Sequence, residues 1–344
     1  TGGSYSGSDE GFVVELADVD NSAPTFNWLQ WLGGTGADYV QALAVKAGGA
    51  SAEGKAIWVI RGKKVTVENI EFSGATVPDG NGAGIRGEGR GLIIRQCFFH
   101  DNQDGILTGK TDGDIVIESS EFANNGAGDG QTHNIYIGGA KSFTLRNSYS
   151  HHAKVGHNLK SRASENFILY NRLMDEATGT ASFEVDLPNG GVAYVIGNVI
   201  QKGPVAETSI LLSYGAEGLQ YPTNQLYVVN NTFVNDRPQG GVFVLLKQPP
   251  TVAKIVNNIF GGRGEVARGT AELRNNLAKA DPGFVNRKSY DFRLEAGSPA
   301  IDAGVDPGSA GSFSLVPTFQ PIPGAGPAAP RPTVRAIDLG AFEF

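Results

Sequence analysis

The chain has 344 residues and a formal net charge of −7, which argues against general binding to nucleic acid. Its 48 glycines and 17 prolines are many for a helical protein and predict turns and short strands. The single cysteine, Cys97, excludes an intramolecular disulfide framework and a cysteine-based zinc site, and no apolar run is long enough to predict a membrane span.

The first 55 residues show no internal repeat. They include "TGGSYSGSDEG" and "NWLQWLGGTGADYVQALAVKAGG", and neither stretch has a counterpart later in the chain. The open first coil of a stacked fold needs a cover. We therefore expect residues 1–55 to form an N-terminal cap.

From residue 56 onward, the chain repeats a short β-rich unit. Alignment of segments such as "ESSEF", "LRNSY", "VNNTF" and "VNNIF" by their last bulky residue gives steps of 24 to 33 residues. The aligned positions are Phe72, Phe98, Phe122, Tyr149, Leu173, Ile200, Phe233 and Phe260. Short alternating strands at this period, with no helical pattern between them, predict an all-β fold over residues 56–284: a right-handed parallel β-helix, which is a solenoid formed by one chain.

An asparagine recurs at one turn of the unit. The aligned positions are Asn147, Asn171, Asn198, Asn231 and Asn258. Stacked asparagine amides bond to one another, and asparagine tolerates left-handed backbone. We expect these residues to form a structural ladder along the solenoid.

After residue 284 the repeat fades into "GSPAIDAG", a stretch rich in proline, glycine and alanine, and a final "DLGAFEF". We expect residues 285–344 to form an irregular C-terminal tail that packs on the side of the β-helix. The "NNTF" and "NNIF" turns, together with this tail, resemble secreted bacterial right-handed parallel β-helix proteins, many of which act on polysaccharides. The resemblance implies a protein that is secreted or lies at the cell surface or in the periplasm.

A narrower resemblance covers residues 155–200. "HNLKSRASENFILYNRL" followed by "NGGVAYVIGNVI" resembles the catalytic region of the polysaccharide lyase family that contains alginate lyases and chondroitinase B. An Asn-Lys-Ser strand supplies the lysine base in that family, so the resemblance implies Lys160 as base. The family's arginine acid lies on the next coil, where this chain has "SFEVDLPNGG", whereas Arg162 is on the strand of Lys160 itself.

Strand geometry predicts one outward patch around "VGHNLKSRA", residues 155–163. Side chains alternate along a strand, so if Ile135 faces the interior, Leu159 and Phe183 do too on the next two coils. An outward column of Tyr136, Lys160 and Glu184 follows, with Arg162 and Asp186 in the next column. The plainest interpretation is that Lys160–Glu184 and Arg162–Asp186 are ion pairs between coils.

The distribution of charge favours a functional interpretation. Between residues 131 and 172 there are six lysines or arginines and one acid, and all five histidines lie between residues 100 and 157. Such a basic belt on an acidic protein attracts anions. An anionic polysaccharide containing uronic acids is therefore the expected partner, and the candidate substrate-binding residues are His133, Arg146, Lys154, Asn158 and Asn189.

β-Elimination from a uronate needs a group that neutralises the carboxylate, a base for the C5 proton and an acid for the leaving oxygen. We assign Lys160 as base and Tyr136 or His157 as acid, with Arg162 available to the carboxylate. Glu184 and Asp186 would hold Arg162 in place or bind a calcium ion, and no other cofactor or metal is expected.

Two alternatives to a lyase stay open. Paired carboxylates perform glycoside hydrolysis, so Glu184 and Asp186 could be the catalytic pair of a hydrolase. The chain could also be a non-catalytic glycan-binding module or an assembly subunit, and the sequence leaves its oligomeric state open.

Overall fold

The computed structural model describes residues 39–48, as backbone only, together with residues 52–332 and 335–344. Parallel strands stack coil on coil, which confirms the predicted fold, a right-handed parallel β-helix with about 8 turns. Most of the expected cap, residues 1–55, lies outside the described residues. Its described strand, Tyr39–Gly48, pairs in parallel with Lys63–Ser73.

One wall of the solenoid is a nine-stranded parallel sheet. Its strands are Ala56–Ile60, Ala83–Gly87, Asp104–Thr108, Ile135–Ile137, Lys160–Ser161, Val185–Leu187, Ile210–Tyr214, Val242–Leu246 and Glu265–Arg268.

The other walls belong to an eighteen-stranded sheet, in which Tyr39–Gly48 and Lys63–Ser73 precede two stacks of strands. Stack 1 contains Arg90–Arg95, Asp114–Glu118, Ser142–Arg146, Glu165–Leu169, Val192–Ile196, Gln225–Val229, Val252–Val256 and Glu272–Arg274. Stack 2 contains Phe98–His100, Glu121–Ala123, Tyr149–His151, Arg172–Met174, Val199–Lys202, Thr232–Asn235, Ile259–Gly262 and Leu277–Lys279.

Beyond the last coil, the chain forms only short elements. They are the antiparallel pair Phe284–Asn286 and Asp291–Leu294 around a 3-10 turn, Arg287–Ser289, then the pairs Ser309–Ala310 with Phe313–Ser314 and Phe319–Gln320 with Ala329–Pro330.

The interior is filled by like residues stacked on like. Ile135 and Leu159 are fully buried, as predicted. Phe183 is only half-buried, so its predicted place in this interior row is wrong, and Val185 occupies it instead. Such rows bury apolar surface between every pair of coils, and this burial supplies most of the driving force for stacking.

The predicted asparagine ladder lies at the bend between stack 1 and stack 2. The side-chain oxygen of Asn231 accepts hydrogen bonds from the backbone N–H and the Nδ2 group of Asn198, at 2.9 Å each. The same pattern links Asn171 to Asn198 and Asn231 to Asn258. These four positions confirm the ladder.

Asn147 does not belong to the ladder, and its predicted place there is wrong. Ser148 pairs with Asn171 instead, since the N–H of Ser148 donates to the Asn171 side-chain oxygen at 3.0 Å. Asn147 occupies the preceding left-handed position, with φ of 57°. The prediction failed here because it assumed coils of equal length. The segment from Lys160 to Glu165 is one residue shorter than the paired segment from Tyr136 to Ser142.

The C-terminal segment packs on the outer face of the eighteen-stranded sheet. Phe313 lies 4.4 Å from the Tyr194 ring, and the backbone N–H of Ala341 donates to Thr232 Oγ1 at 3.0 Å. Asn230 and Asn257, which precede ladder residues, donate from Nδ2 to backbone carbonyl oxygens of this segment. The segment therefore connects several coils along the solenoid axis.

We expect Asn231→Ala to lower the free energy of unfolding by more than about 3 kcal/mol, because each buried backbone partner left without a hydrogen bond costs about 1–3 kcal/mol. Asn231 bonds to its neighbours in the ladder and to the carbonyl oxygens of Val195 and Val229. Urea unfolding measures the loss. Asn276→Ala, at the half-exposed end of the ladder, is the matched control and should cost clearly less. Equal losses at both positions would contradict this account.

Candidate functional site

A row of outward side chains crosses the nine-stranded sheet from coil to coil. In register, it contains Val59, Arg86, Leu107, Tyr136, Lys160, Asp186, Ser213, Leu245 and Arg268. Tyr136 lies directly above Lys160, as predicted. Polar residues occupy four consecutive coils at the centre of this row, which makes it the candidate site.

Lys160 and Arg162 converge on Tyr136 and on Glu217, a residue of a later turn. Lys160 Nζ lies 5.6 Å from the centre of the Tyr136 ring, and the Arg162 guanidinium lies 5.0 Å from it. Arg162 also donates a hydrogen bond to the Tyr136 hydroxyl. Glu217 Oε1 accepts from Lys160 Nζ at 3.2 Å, and both Glu217 oxygens accept from Arg162 Nη2 at 2.7 and 2.6 Å. These four residues form what we call the cationic cluster.

His133 and His157 stack on each other beside the cationic cluster, with ring centres 4.4 Å apart. Burial, followed by the charges of Lys160 and Arg162, lowers the pKa of His133 to about 3. Burial and then His133 lower the pKa of His157 well below its ordinary value. Both rings are therefore neutral near neutral pH. The backbone N–H of His157 donates to His133 Nδ1 at 3.0 Å, which makes that nitrogen an acceptor.

Asp186 lies on the other side of Lys160 in the row. Its Oδ2 atom is 3.9 Å from Lys160 Nζ and 3.6 Å from His157 Nε2, and burial raises the pKa of the carboxyl to about 6. Asp186 Oδ1, His157 Nδ1 and Ser213 Oγ are buried without a well-formed hydrogen bond. The Ser213 hydroxyl, one coil beyond Asp186, nevertheless lowers the pKa of that carboxyl against the effect of burial.

Glu184 is not in the outward column, so its predicted stacking on Lys160 is wrong. Asp186 takes that place, and the predicted stacking of Asp186 on Arg162 is wrong with it. Glu184 is 0% exposed inside the solenoid, where Oε1 accepts from Lys202 Nζ at 3.0 Å and Oε2 accepts from Asn158 Nδ2 at 2.5 Å. Burial, and then the neighbouring Asp175 carboxylate, raise the pKa of Glu184 well above its ordinary value.

The error has a simple geometric cause. His157 pairs with Phe183 and Lys160 with Asp186, so this coil is two residues longer than the preceding one, in which Tyr136 pairs with Lys160. Glu184 also falls at a bend immediately before its strand, as Asn158 does one coil earlier. Alternation of side chains holds within a strand and fails at such a bend. Glu184 therefore continues an interior series of amides.

The candidate substrate-binding residues do not gather in one place. His133 is part of the site but is only 1% exposed, and Asn158 is fully buried in the interior series between Asn134 and Glu184. Arg146 lies on stack 1 and pairs with Glu118, and Lys154 lies in a turn 3.7 Å from Asp101.

Asn189 lies in the turn after Val185–Leu187, and its carbonyl oxygen accepts from the backbone N–H of Gln220. The other histidines lie along stack 2 and the turns that follow it, where His151 and His152 contact each other at 2.7 Å and His100 binds Glu71 at 2.9 Å. The basic belt of the sequence is therefore divided between different faces of the solenoid.

Glu217 and Ser213 were not predicted as site residues, and only one feature of the sequence points to Glu217. Glu217 lies in a loop, residues 215–224, between Ile210–Tyr214 and Gln225–Val229. This is the coil in which the repeat lengthens to 33 residues, from Ile200 to Phe233. The extra length predicts an insertion, but only the folded chain shows that Glu217 contacts Lys160 and Arg162. No sequence pattern predicted Ser213 as a site residue.

Among the described residues, no group of three or more histidine, cysteine, aspartate or glutamate side chains is arranged to hold a metal ion. Glu184 and Asp186 were considered as calcium ligands. Glu184 contacts Asn158 inside the solenoid, whereas Asp186 lies near Lys160 on the outer face of the nine-stranded sheet. No helix in the described ranges has the length and apolar character needed to cross a bilayer.

The raised pKa of Asp186 gives a pH-dependent prediction. A carboxyl whose pKa rises on folding contributes its full stabilisation below the unfolded pKa and loses it as the pH rises through the folded pKa, here about 6. We expect the free energy of unfolding of the wild type, minus that of Asp186→Asn, to fall by about 2 kcal/mol between about pH 4 and about pH 7. Urea unfolding across this range measures it, and both proteins contain the same histidines. A difference independent of pH would contradict the burial of an ionisable Asp186.

A second prediction concerns the buried pair of Lys202 and Glu184. Both side chains are 0% exposed, and Lys202 Nζ also donates to the carbonyl oxygens of Ala181 and Ser182. We expect Lys202→Met to lower the free energy of unfolding by about 3–5 kcal/mol, because it leaves the neighbouring acids Glu184 and Asp175 buried without the ammonium that both contact. Adding Glu184→Gln should recover part of the loss in thermal or urea unfolding. A double variant no more stable than the single one would show that the carboxylate does not matter.

No protein-family model, curated protein or solved structure matches this chain.

Proposed function

We propose that this chain is a polysaccharide lyase that cleaves a uronic-acid polysaccharide by β-elimination, with Lys160 as base. The observation that carries the proposal is the cationic cluster. An amine, a guanidinium and a phenol meet there on one outward face, and these groups can perform the three tasks of the reaction. The partial resemblance of residues 155–200 to polysaccharide lyases supports the same assignment of Lys160.

Each step of the elimination is assigned to one residue of this chain. Arg162 binds the uronate carboxylate and neutralises it, which acidifies the C5 proton. Lys160 Nζ removes that proton, and the electrons of the C5–H bond form the C4=C5 double bond. The C4–O4 bond breaks, and O4 receives a proton from the Tyr136 hydroxyl. His157 is less suited to be the acid because burial lowers its pKa well below the ordinary value, which leaves the ring as a neutral imidazole whose remaining N–H is a very weak acid.

Accessibility supports this assignment. The side chains of Lys160 and Arg162 are 13% and 22% exposed, so part of each side chain is open to solvent. A polymer lying along the solenoid axis would cross successive coils at about 4.8 Å each, in the direction of the outward row. Because such polymers occur outside cells, the proposal includes a bacterial protein that is secreted, periplasmic or at the cell surface.

The two alternatives have weaker support. A hydrolase that uses Glu184 and Asp186 needs both carboxylates at the sugar, and Glu184 is fully buried on Lys202. A non-catalytic module would account for Lys160 and Arg162 as an ion-pair network with Glu217. Activity separates these alternatives from the lyase.

We expect the wild type to release products with the ultraviolet absorbance of an unsaturated uronate from at least one polymer in a panel of uronic-acid polysaccharides. Lys160→Ala should abolish the signal, and Lys160→Arg should not restore it, since a guanidinium does not act as a base near neutral pH. Tyr136→Phe should lower kcat more than it raises KM, as expected for a proton donated in the transition state.

Lys254→Ala, on stack 1, is the matched control and should keep full activity with the same melting temperature. New reducing ends without the absorbance would indicate hydrolysis. Binding without cleavage by the wild type would support the glycan-binding module.

A further inference from the structure

We propose that Glu217 is an internal substitute for the substrate's carboxylate: it occupies the carboxylate subsite of Arg162, next to Lys160, and a uronate displaces it. This inference rests on the proposed function and names the chemical group that the site selects. It also makes Glu217 a residue that limits access to the site.

The contacts of Glu217 with Arg162 are those that a bound uronate would need. One carboxylate accepts two hydrogen bonds from Arg162 Nη2 and a third from Lys160 Nζ. Although burial opposes it, the hydrogen bond from Arg162, followed by the charge of Lys160, lowers the pKa of Glu217, so the group is ionised. Charge-assisted bonds to a planar carboxylate are what a guanidinium forms most readily. The subsite is therefore already assembled around a carboxylate.

Glu217 can leave without disruption of its loop. The backbone of residues 215–224 is fixed to the neighbouring turn, since the N–H of Glu217 donates to the Pro188 carbonyl oxygen and that of Gln220 to the Asn189 carbonyl oxygen, both at 2.9 Å. The contacts with Arg162 and Lys160 are made by the side chain alone. With 44% of that side chain exposed, rotation toward solvent is open, and ion pairs this exposed contribute little to stability.

The exchange has a consequence for the base. An amine accepts a proton only when it is uncharged, and Glu217 holds its carboxylate 3.2 Å from Lys160 Nζ. Displacement of Glu217 by substrate moves this carboxylate away and brings the C5 proton in. The substrate carboxylate then needs to stay on Arg162, beyond Lys160, for the reaction to proceed.

The test is the affinity for sodium glucuronate, measured by isothermal titration calorimetry for the wild type, Glu217→Gln and Glu217→Ala. We expect both variants to bind glucuronate about fivefold more tightly than the wild type, which corresponds to loss of an exposed ion pair. Arg162→Gln added to Glu217→Gln should abolish the gain, and neutral glucose should show none. Glu207→Gln, an exposed glutamate in the same coil, is the matched control and should leave the affinity unchanged.

Unchanged or weaker binding of glucuronate by both Glu217 variants, with an unaltered melting temperature, would overturn the inference and make Glu217 a structural partner of Arg162. That result would leave the lyase standing if polymer cleavage still depends on Lys160. Tighter binding without any unsaturated product from the polymer panel would instead retain the carboxylate subsite and overturn the lyase.

Discussion

Every coil of this solenoid turns a sharp bend between stack 1 and stack 2, and the bend buries backbone groups that find no partner within their own coil. From Asn171 to Asn258 the asparagine ladder satisfies them, and Ser148 takes this position one coil earlier. The side-chain oxygens of Asn198, Asn231 and Asn258 each accept two hydrogen bonds from the coil before, and the NH2 group of each donates to backbone carbonyl oxygens. Because these amides are bonded on both sides, their coils cannot slip relative to one another. The outward row of the nine-stranded sheet, and with it the vertical order of Tyr136, Lys160 and Asp186, depends on this fixed register.

Turn length then decides which residues reach the site. A turn can gain or lose residues without disturbing the ladder, since the ladder fixes only the bend. The turn before Phe183 gains three residues and the turn after Lys160 loses one, and this net gain of two exchanges Glu184 for Asp186 beneath Lys160. The longer coil after Tyr214 brings Glu217 into contact with Lys160 and Arg162. The invariant part of each coil thus provides the scaffold, and the variable turns provide the chemistry, as is general for loops on rigid folds.

The sequence predicted what local periodicity controls. The coil spacing, the ladder from Asn171 to Asn258, the buried Ile135 and Leu159, and the stacking of Tyr136 on Lys160 all follow from repeats within neighbouring coils. The prediction failed at Asn147 and Glu184 because it assumed coils of equal length, whereas one turn is shorter and another is longer. Glu217 was out of reach for a different reason: it lies 55 residues from Arg162, and only the closed coils bring the two together.

The C-terminal segment changes how such a molecule can come apart. In a solenoid each coil contacts only its neighbours, so the ends can fray independently of the middle. Here hydrogen bonds run from this segment to Asn147, Asn230, Asn257 and Asn275, which belong to four different coils. A coil in the middle cannot open without releasing contacts at several others. The segment therefore couples these four coils into one cooperative unit, and it can complete its contacts only when all four coils are formed.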